Sequence, residues 1–373
     1  MKNILINRTQ KRTRAVVIED DELAAYYVVN EEEPSLSGNI YKGRIQNVLP
    51  GMQAAFVDIG TDRNAFLQFG KKRTFPVELN GEVLVQIERE AVGSKGPRAT
   101  LELSLPGRRV VLLPNTNSIG VSHKVEEKDR TRLFKLASKL RPPNCGLIIR
   151  TSAAECSEDV LIEEIDRLFQ KWQTIAECIN RRKAPSLIYS ENDLLKKVLR
   201  NELNCEVERI IIDNLKMYVR ATGLVKELMP ECPVRIEHYN GEEPIFAFFG
   251  VDDEIKKLGE RELELPSGGA IVIDRTEAMT VIDVNTGKFY GGINLSDTVF
   301  QTNLEAAELI LKQLRLRDIS GIIIIDFIDM NRPEQKDRLM EYLRTKALGD
   351  RKRVHVIDMT PLGLVEITRR SSQ

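Results

Sequence analysis

Two apolar runs decide the expected fold: Ala278-Met-Thr-Val-Ile-Asp-Val-Asn285 and Gly321-Ile-Ile-Ile-Ile-Asp-Phe-Ile-Asp-Met330. Runs this rich in β-branched residues indicate strands buried on both faces. Asp283 and Asp326 stand where these strands emerge, and a carboxylate is costly to bury unless a cation or hydrogen-bond donors meet it. The pair therefore predicts a metal site at the edge of an α/β sheet. The alternative is one aspartate capping a helix and the other in a surface salt bridge.

Strands and helices alternate around the two runs. A helix is predicted to begin near Asp297, and Pro333 opens another in a position that proline tolerates. Strands are predicted at residues 271–274, 279–284, 322–327 and 354–358. This alternation predicts a layered α/β domain from about Glu260 onward.

The composition is that of a soluble multidomain protein. The chain has 373 residues, which predicts two to four domains, and it is 42% hydrophobic and 30% charged with a net charge of -1. A net charge this close to zero excludes a polycationic arm. No apolar run reaches the ~20 residues that span a bilayer, and the N-terminus lacks a secretory signal, so a cytoplasmic location is expected.

Cysteine and histidine are too scattered to form a metal cluster. The five cysteines are odd in number and widely spaced, with no C-x-x-C pair, and the three histidines lie far apart. This pattern argues against a disulfide framework and an internal zinc site, and favours oxygen ligands.

The N-terminal region reads as strands. The first 30 residues predict a three-stranded meander that needs a later partner to close a core. Short glycine-broken strands then predict a small β-barrel ending near Leu105, similar to an OB-fold. Phe56 and Phe66 fall on adjacent strands, where they would stack on bases or else lie in the barrel core. The surrounding cations are Lys42, Arg44, Arg89, Lys95 and Arg98.

A second candidate site lies between a strand and a helix. The strand at residues 145–149 is followed by Arg150 and Thr151, and Ser157 caps a long helix. A guanidinium and a hydroxyl in such a loop could grip a phosphate, although a surface salt bridge for Arg150 explains the pattern equally well.

The carboxylate region has the composition of a hard-metal site. Asn285 follows Asp283 by two positions, so both side chains point to one face of the strand. Such oxygen ligands suit Mg²⁺ or Mn²⁺, which activates water for attack on a phosphodiester. Lys288 and either Arg315 or Arg317 could neutralise charge on the scissile phosphate. The sequence contains no G-x-x-x-x-G-K-[ST] loop, so nucleotide hydrolysis has no support from a motif.

With these segments in place, the chain resembles the catalytic region of the ribonuclease E/G family of bacterial and plastid endoribonucleases. The similar blocks, in chain order, are Gly38-Asn-Ile-Tyr-Lys-Gly43, Ala54-Ala-Phe-Val-Asp58, Ile149-Arg-Thr151, Leu265-Pro-Ser-Gly-Gly269, Ile282-Asp-Val-Asn285, Thr302-Asn-Leu-Glu-Ala-Ala307, Gln313-Leu-Arg-Leu-Arg-Asp318 and Ile325-Asp-Phe-Ile-Asp-Met330.

The resemblance implies a multidomain α+β and α/β fold. Its expected parts are a split RNase H-like domain at 1–36 plus 196–258, an OB-fold RNA-binding barrel at 37–105, a 5′-end sensor at 106–195 and a DNase I-like α/β catalytic domain at 259–373.

The resemblance also implies roles for the candidate residues. Asp283 and Asp326 would hold Mg²⁺, with Mn²⁺ as an alternative, and Asn285 would orient the attacked phosphate or its water. Arg150 and Thr151 would bind the 5′-monophosphate of the RNA. The residues that would hold the substrate strand are Phe56, Phe66 and Lys95.

The implied activity is single-strand-specific cleavage of messenger or ribosomal precursor RNA that leaves 5′-phosphate and 3′-hydroxyl ends. A non-catalytic RNA-binding member of the family is the alternative. The sequence ends at Gln373 without the family's C-P-x-C zinc link, so zinc is not expected and a homodimer stays open. Cys156 stands where the family commonly has glycine. Because cysteine tolerates positive φ poorly, a different loop is expected there.

Overall fold

The computed structural model describes residues 1–69, 78–91, 93, 95–154, 156–229, 234–286 and 295–370. The chain forms two compact units, each built from segments distant in sequence. The first comprises Met1–Val28, Cys205–Arg220 and Pro233–Gln373, and the second comprises Val29–Asn204 and Ala221–Cys232.

The strands of the described part are, in chain order, β1 Lys2–Arg8, β2 Arg12–Glu19, β3 Glu22–Asn30, β4 Ile40–Leu49, β5 Ala54–Asp58, β6 Ala65–Gln68, β7 Glu82–Arg89, β8 Arg98–Thr100, β9 Leu105–Pro106, β10 Val110–Pro114, β11 Ile119–Val121, β12 Cys145–Ile149, β13 Ser186–Tyr189, β14 Val207–Ile212, β15 Arg235–His238, β16 Glu262–Glu264, β17 Ala270–Arg275, β18 Met279–Asn285, β19 Gly321–Asp326, β20 Val354–Met359 and β21 Leu364–Arg369.

The helices are α1 Glu127–Leu140, α2 Glu158–Arg181, α3 Leu194–Glu202, α4 Leu215–Leu228, α5 Ile245–Phe248, α6 Asp252–Lys257, α7 Leu295–Leu316 and α8 Pro333–Ala347. Within the described ranges, none of them has the length and apolarity needed to cross a membrane.

The opening meander is completed by strands from much later in the chain. In the first unit the sheet order is β15-β14-β1-β2-β3, with β1 pairing parallel to β14 and antiparallel to β2. Leu5 of β1 packs with Ile211 of β14, Phe246 of α5 and Leu316 of α7 in one core cluster. The long-range partner that the first strands were expected to need is therefore β14.

The second sheet of this unit carries both aspartate-ending strands. Its order is β16-β17-β18-β19-β21-β20, and β18 pairs parallel to β19. Ile282 and Ile325 are buried in a core that includes Ala307 of α7 and Leu339 of α8. The predicted mixed α/β layering is confirmed at this level.

The prediction that these strands are buried on both faces is wrong. Burial alternates along β18, and Val281 is 37% exposed while Ile322 on β19 is 48% exposed. Helices α7 and α8 contribute to the core on one face, which leaves the other face accessible. A β-branched composition indicates a strand, but it does not show whether one face or both faces of the sheet are buried.

The second unit contains a closed barrel of five strands. The pairing order is β4-β5-β6-β8-β7, and β4 also pairs with β7, which closes the ring. The interior is lined by small and branched residues, among them Ala55, Val57, Ala65 and Leu67. The predicted small β-barrel is thus confirmed.

A four-stranded sheet, β11-β12-β10-β9, completes the second unit. Leu112 and Leu147 of this sheet pack with Leu133 of α1 and Ile165 of α2. Strand β12 ends at Ile149, so the sheet edge presents the residues that follow it.

The cysteine prediction needs one correction. Cys205 is disulfide-bonded, whereas Cys145, Cys156 and Cys178 are in the thiol form.

A buried ion pair joins the last strand of the aspartate-bearing sheet to the segment after α8. Arg369 Nε donates to Asp350 Oδ2 at 2.8 Å, and the two side chains are 4% and 7% exposed. Arg369 Nη1 also donates to the carbonyl of Ile319 at 2.9 Å. A charge buried this deeply is tolerated only while its partner is present.

Substituting Arg369→Met should lower the free energy of unfolding by about 3 kcal/mol, because the buried Asp350 carboxylate would lose the guanidinium that neutralises it. Urea unfolding monitored by circular dichroism measures this change. The neighbouring exposed Arg370→Met is the control and should change the value by less than about 0.5 kcal/mol. Equal effects of the two substitutions would contradict the buried-pair interpretation.

Candidate active site

The strand register brings the two aspartates together. Asp283 on β18 pairs directly with Asp326 on β19 in the parallel ladder. Neighbouring strands lie about 4.8 Å apart, and paired residues place their side chains on the same face. Both aspartates are exposed, whereas the preceding Ile282 and Ile325 are fully buried at 0%. Two carboxylates therefore face solvent side by side on the open face.

Asn285 belongs to the same face and contacts one of the carboxylates. Its Nδ2 donates to Asp283 Oδ2 at 2.8 Å. Its backbone pairs with Ala270 of β17, which fixes its position relative to the sheet. The three polar residues predicted to act together thus lie on one face, with Asp283 linked to each of the other two.

The donor set fits a hydrated divalent cation. Two exposed carboxylates and an amide supply oxygen ligands, and Mg²⁺ commonly binds through one or two carboxylates while keeping several waters. No group of three or more His, Cys, Asp or Glu side chains that could hold a metal ion occurs in the described part of the chain. The arrangement therefore suits a water-rich ion and not a fully enclosed protein cage.

Close backbone packing supports Asn285 from the neighbouring strand. A Cβ atom placed on Gly269 would lie 2.5 Å from the carbonyl oxygen of Asn285. Contacts this short do not occur for real side chains, so one strand would have to move. Glycine at this position is thus required by the approach of the turn before β17 to the end of β18.

The predicted phosphate-binding pair lies at the edge of the four-stranded sheet. Arg150 Nη1 donates to the carbonyl of Gly107 at 2.8 Å, and Nη2 lies 3.4 Å from Asn201 Oδ1. Burial, with repulsion from Arg200, lowers the pKa of the Arg150 guanidinium, although an arginine remains protonated. The alternative of a surface salt bridge is not what the structure shows, because these bonds go to neutral oxygens.

Ser122 extends this site and was missed from the sequence. Its Oγ lies 3.1 Å from Oγ1 of Thr151, which is exposed at the start of a short 3-10 turn. Strand β11 runs parallel to β12, so the residues after both strands emerge at the same edge. A hydroxyl directly after the short apolar stretch of Ile119 and Val121 was the signal that could have identified Ser122.

The different loop expected at Cys156 stays a prediction. Cys156 is not among the non-glycine residues with positive φ in the described ranges, so cysteine causes no backbone strain there. Its thiol instead lies 3.3 Å from the carbonyl of Ala153.

The two phenylalanines lie on the outside of the barrel. Phe56 on β5 pairs with Phe66 on β6, both are partly exposed, and their ring centroids are 5.8 Å apart in an edge-to-face arrangement. Ala55 and Leu67 beside them point inward. The alternative that both rings form the barrel core is therefore wrong. Lys95 is exposed just before β8, the strand that pairs with β6.

Two of the cations grouped with these rings have other partners. Lys42 contacts Glu82 at 2.8 Å and the carbonyl of Arg182 at 3.0 Å, and Arg44 donates to the carbonyl of Ala184. These side chains hold the segment after α2 against the barrel.

The predicted phosphate-neutralising role of Arg317 is not supported. Arg317 donates to the carbonyls of Glu260 and Lys257 at 2.7 and 3.1 Å. It precedes β19, whereas Asp326 ends that strand, and five steps of about 3.3 Å separate the two strand ends. Lys288 lies outside the described residues.

Comparison with known proteins gives one consistent result. The sequence model of the ribonuclease E/G family matches residues 104–372. Ribonuclease G of Salmonella typhimurium strain SL1344 is 38% identical over 390 residues, which cover 99% of this chain and 80% of that protein. Ribonuclease G of Escherichia coli strain K12 is 39% identical with the same coverage. Ribonuclease E of that strain is 36% identical and is covered over 37% of its length.

These matches and the mixed α/β fold with its closed barrel place the protein among endoribonucleases, as the sequence predicted. The chain belongs to the ribonuclease E/G family.

Substituting Gly269→Ala should reduce RNA cleavage by ~10- to 100-fold, because the added methyl group displaces Asn285, and small misplacements in an active site are costly. Initial rates on a labelled single-stranded oligonucleotide measure the loss. Gly259→Ala is the control, since its Cβ would lie an ordinary 3.6 Å from the carbonyl oxygen of Lys256. An unaffected rate for Gly269→Ala would show that this contact does not matter to the site.

Proposed function

We propose that the protein is a metal-dependent endoribonuclease that cleaves single-stranded RNA at the face formed by Asp283, Asn285 and Asp326. The observation that supports this most strongly is the parallel register of β18 and β19, which sets the two carboxylates side by side on an accessible face. Membership in the ribonuclease E/G family supplies the substrate class.

Each polar residue has a separate task in this proposal. Asp283 and Asp326 would hold Mg²⁺ or Mn²⁺. When bound, such an ion activates water and stabilises charge on a phosphate. Asn285 steadies the Asp283 carboxylate through its amide and lies beside the place where a scissile phosphate would bind. Attack of water on that phosphorus with cleavage of its bond to the 3′ oxygen would leave a 5′-phosphate on one product and a 3′-hydroxyl on the other.

We assign substrate holding to the outer face of the barrel, which we propose to be an OB-fold. Phe56 and Phe66 are partly exposed and can stack on unpaired bases. Lys95 adds an exposed ammonium group on the neighbouring segment. Stacking needs bases that are free of a duplex, so this surface favours single strands.

The edge that carries Arg150 and Thr151 is proposed to bind the 5′-monophosphate of the RNA. The Thr151 hydroxyl is exposed, and Ser122 places a second hydroxyl beside it. The Arg150 guanidinium is partly desolvated, so an anion compensates it better than water alone. We propose that this contact accelerates cleavage of 5′-monophosphorylated substrates.

The four-part domain division is kept as a proposal. The first sheet joins residues 2–30 with 207–238, which supports a split RNase H-like domain at 1–36 plus 196–258. The closed barrel supports an OB-fold domain at 37–105, and the four-stranded sheet with α1 and α2 supports a sensor domain at 106–195. The aspartate-bearing sheet supports a DNase I-like catalytic domain at 259–373.

Removing one carboxylate should abolish cleavage without abolishing RNA binding. We expect Asp283→Asn and Asp326→Asn each to lower the rate at least ~100-fold, because each loses a charged ligand of the ion. EDTA should stop the wild-type enzyme, and added Mg²⁺ should restore it. Gel-based cleavage and filter binding of one AU-rich oligonucleotide measure both properties.

Asp358→Asn is the matched control, since Asp358 is an exposed aspartate of the same sheet on β20. It should retain wild-type activity. Cleavage that survives EDTA or the Asp283 substitution would refute the metal assignment. Binding without cleavage by the wild type would instead identify a non-catalytic RNA-binding member of the family.

Substituting Thr151→Val should weaken the preference for a 5′-monophosphate. A hydrogen bond to a charged group contributes about 1.5 kcal/mol, so the ratio of rates on 5′-monophosphorylated and 5′-hydroxyl RNA should fall about tenfold. The rate on 5′-hydroxyl RNA should not change. Thr174→Val, which removes another hydroxyl of the second unit, is the control. A wild-type enzyme that cleaves both RNAs equally would exclude the proposed role of this edge.

A further inference from the structure

Helix α7 contacts the turn that follows Asp326. We propose that Asn303 of this helix is a positioning residue that holds the turn and thereby orients Asp326 toward the divalent ion. This inference rests on the proposed function of the carboxylate face. Asn303 acts through the backbone of Ile328 and is not itself assigned as a ligand.

The contact is a reciprocal pair of hydrogen bonds. Asn303 Nδ2 donates to the carbonyl of Ile328 at 2.8 Å, and the backbone N–H of Ile328 donates to Asn303 Oδ1 at 3.1 Å. Asn303 is fully buried at 0% exposure. One side chain thus satisfies both backbone groups of a residue two positions beyond Asp326.

The turn needs this support because the sheet ladder stops before it. The last pair between β19 and β21 joins Asp326 to Leu364. Beyond it, Phe327 and Met330 are buried, so the backbone between them passes next to the core without a strand partner. Buried backbone groups must find partners elsewhere, and Asn303 provides them for Ile328.

Only an amide can make both bonds. The asparagine side chain carries a donor and an acceptor on one planar group, which matches the N–H and C=O of a peptide. Aspartate has the same shape but no donor when ionised, so it would face the Ile328 carbonyl with a second oxygen. The Asn303→Asp variant therefore tests the hydrogen bond with little change in volume.

The same helix also supports the other side of the carboxylate face. Glu305 Oε2 accepts the backbone N–H of Ser267 at 2.9 Å in the turn before β17. That turn contains Gly269, which closely approaches the backbone of Asn285. The N-terminal half of α7 thus contacts the turns next to Asn285 and Asp326. These contacts explain what the residues from Thr302 to Ala307 contribute to the structure.

A purely structural role for Asn303 makes a different prediction. Loss of buried hydrogen bonds would lower thermal stability but leave the folded protein with a normal metal site. Gln313 is the matched control for this effect, since it is a buried polar residue of α7 that accepts a bond from Arg317 Nε at 2.7 Å near the other end of the helix.

The test measures Mn²⁺ binding to the full chain by electron paramagnetic resonance, together with the Mg²⁺ dependence of cleavage. Partners that orient metal ligands typically change affinity or activity 10- to 100-fold. We expect Asn303→Asp and Asn303→Ser to weaken Mn²⁺ binding by about that factor and to raise the half-saturating Mg²⁺ concentration in parallel. The KM for RNA should stay within about twofold of the wild-type value. Gln313→Leu should lower the melting temperature without changing Mn²⁺ affinity.

Two results would overturn the inference, and they differ. If wild type and a folded Asn303 variant bind Mn²⁺ equally, Asn303 has no positioning role, and the proposed function stands. If the wild type itself binds no Mn²⁺, the metal site proposed for Asp283 and Asp326 is wrong, and the positioning role falls with it. Two substitutions of different size are used so that a folded variant is available for the comparison.

Discussion

The parallel pairing of β18 with β19 is the constraint on which the candidate active site depends. Backbone hydrogen bonds set Asp283 opposite Asp326, and the pleat then sends both carboxylates to the same side. A shift of one residue in this register would turn one aspartate toward the core. The hydrophobic side chains at Ile282 and Ile325 oppose such a shift, because the isoleucine of the shifted strand would lose its full burial.

The contrast between covered and open surfaces organises both units. In the aspartate-bearing sheet, α7 and α8 contribute to one core, and the polar residues stand on the other face. In the barrel, small residues fill the interior while Phe56 and Phe66 face outward. Each surface is thus the exposed side of a β-structure whose other side is buried in a core. This is a suitable basis for holding an extended polar ligand against fixed side chains.

The sequence predicted the positions of strands and loops better than it predicted which of their faces are covered and what their side chains contact. The strands that carry Asp283 and Asp326, the small barrel and the strand before Arg150 all follow from local pattern. The prediction of two buried faces around β18 failed because β-branched residues are favoured in any strand. Arg317 was grouped with the carboxylates, whereas the length of β19 separates it from Asp326.

By itself, the sequence determined the family, the types of the main elements and the polar residues at their ends. Those features depend on neighbouring residues and on a pattern of blocks that is readable along the chain. Only the tertiary structure decided the register of the aspartates, the outward position of the two phenylalanines, and the contacts of Ser122 and Asn303. Each of these joins residues that are distant in sequence. Hydrogen-bond ladders and side-chain packing specify such pairs, and no local pattern encodes them.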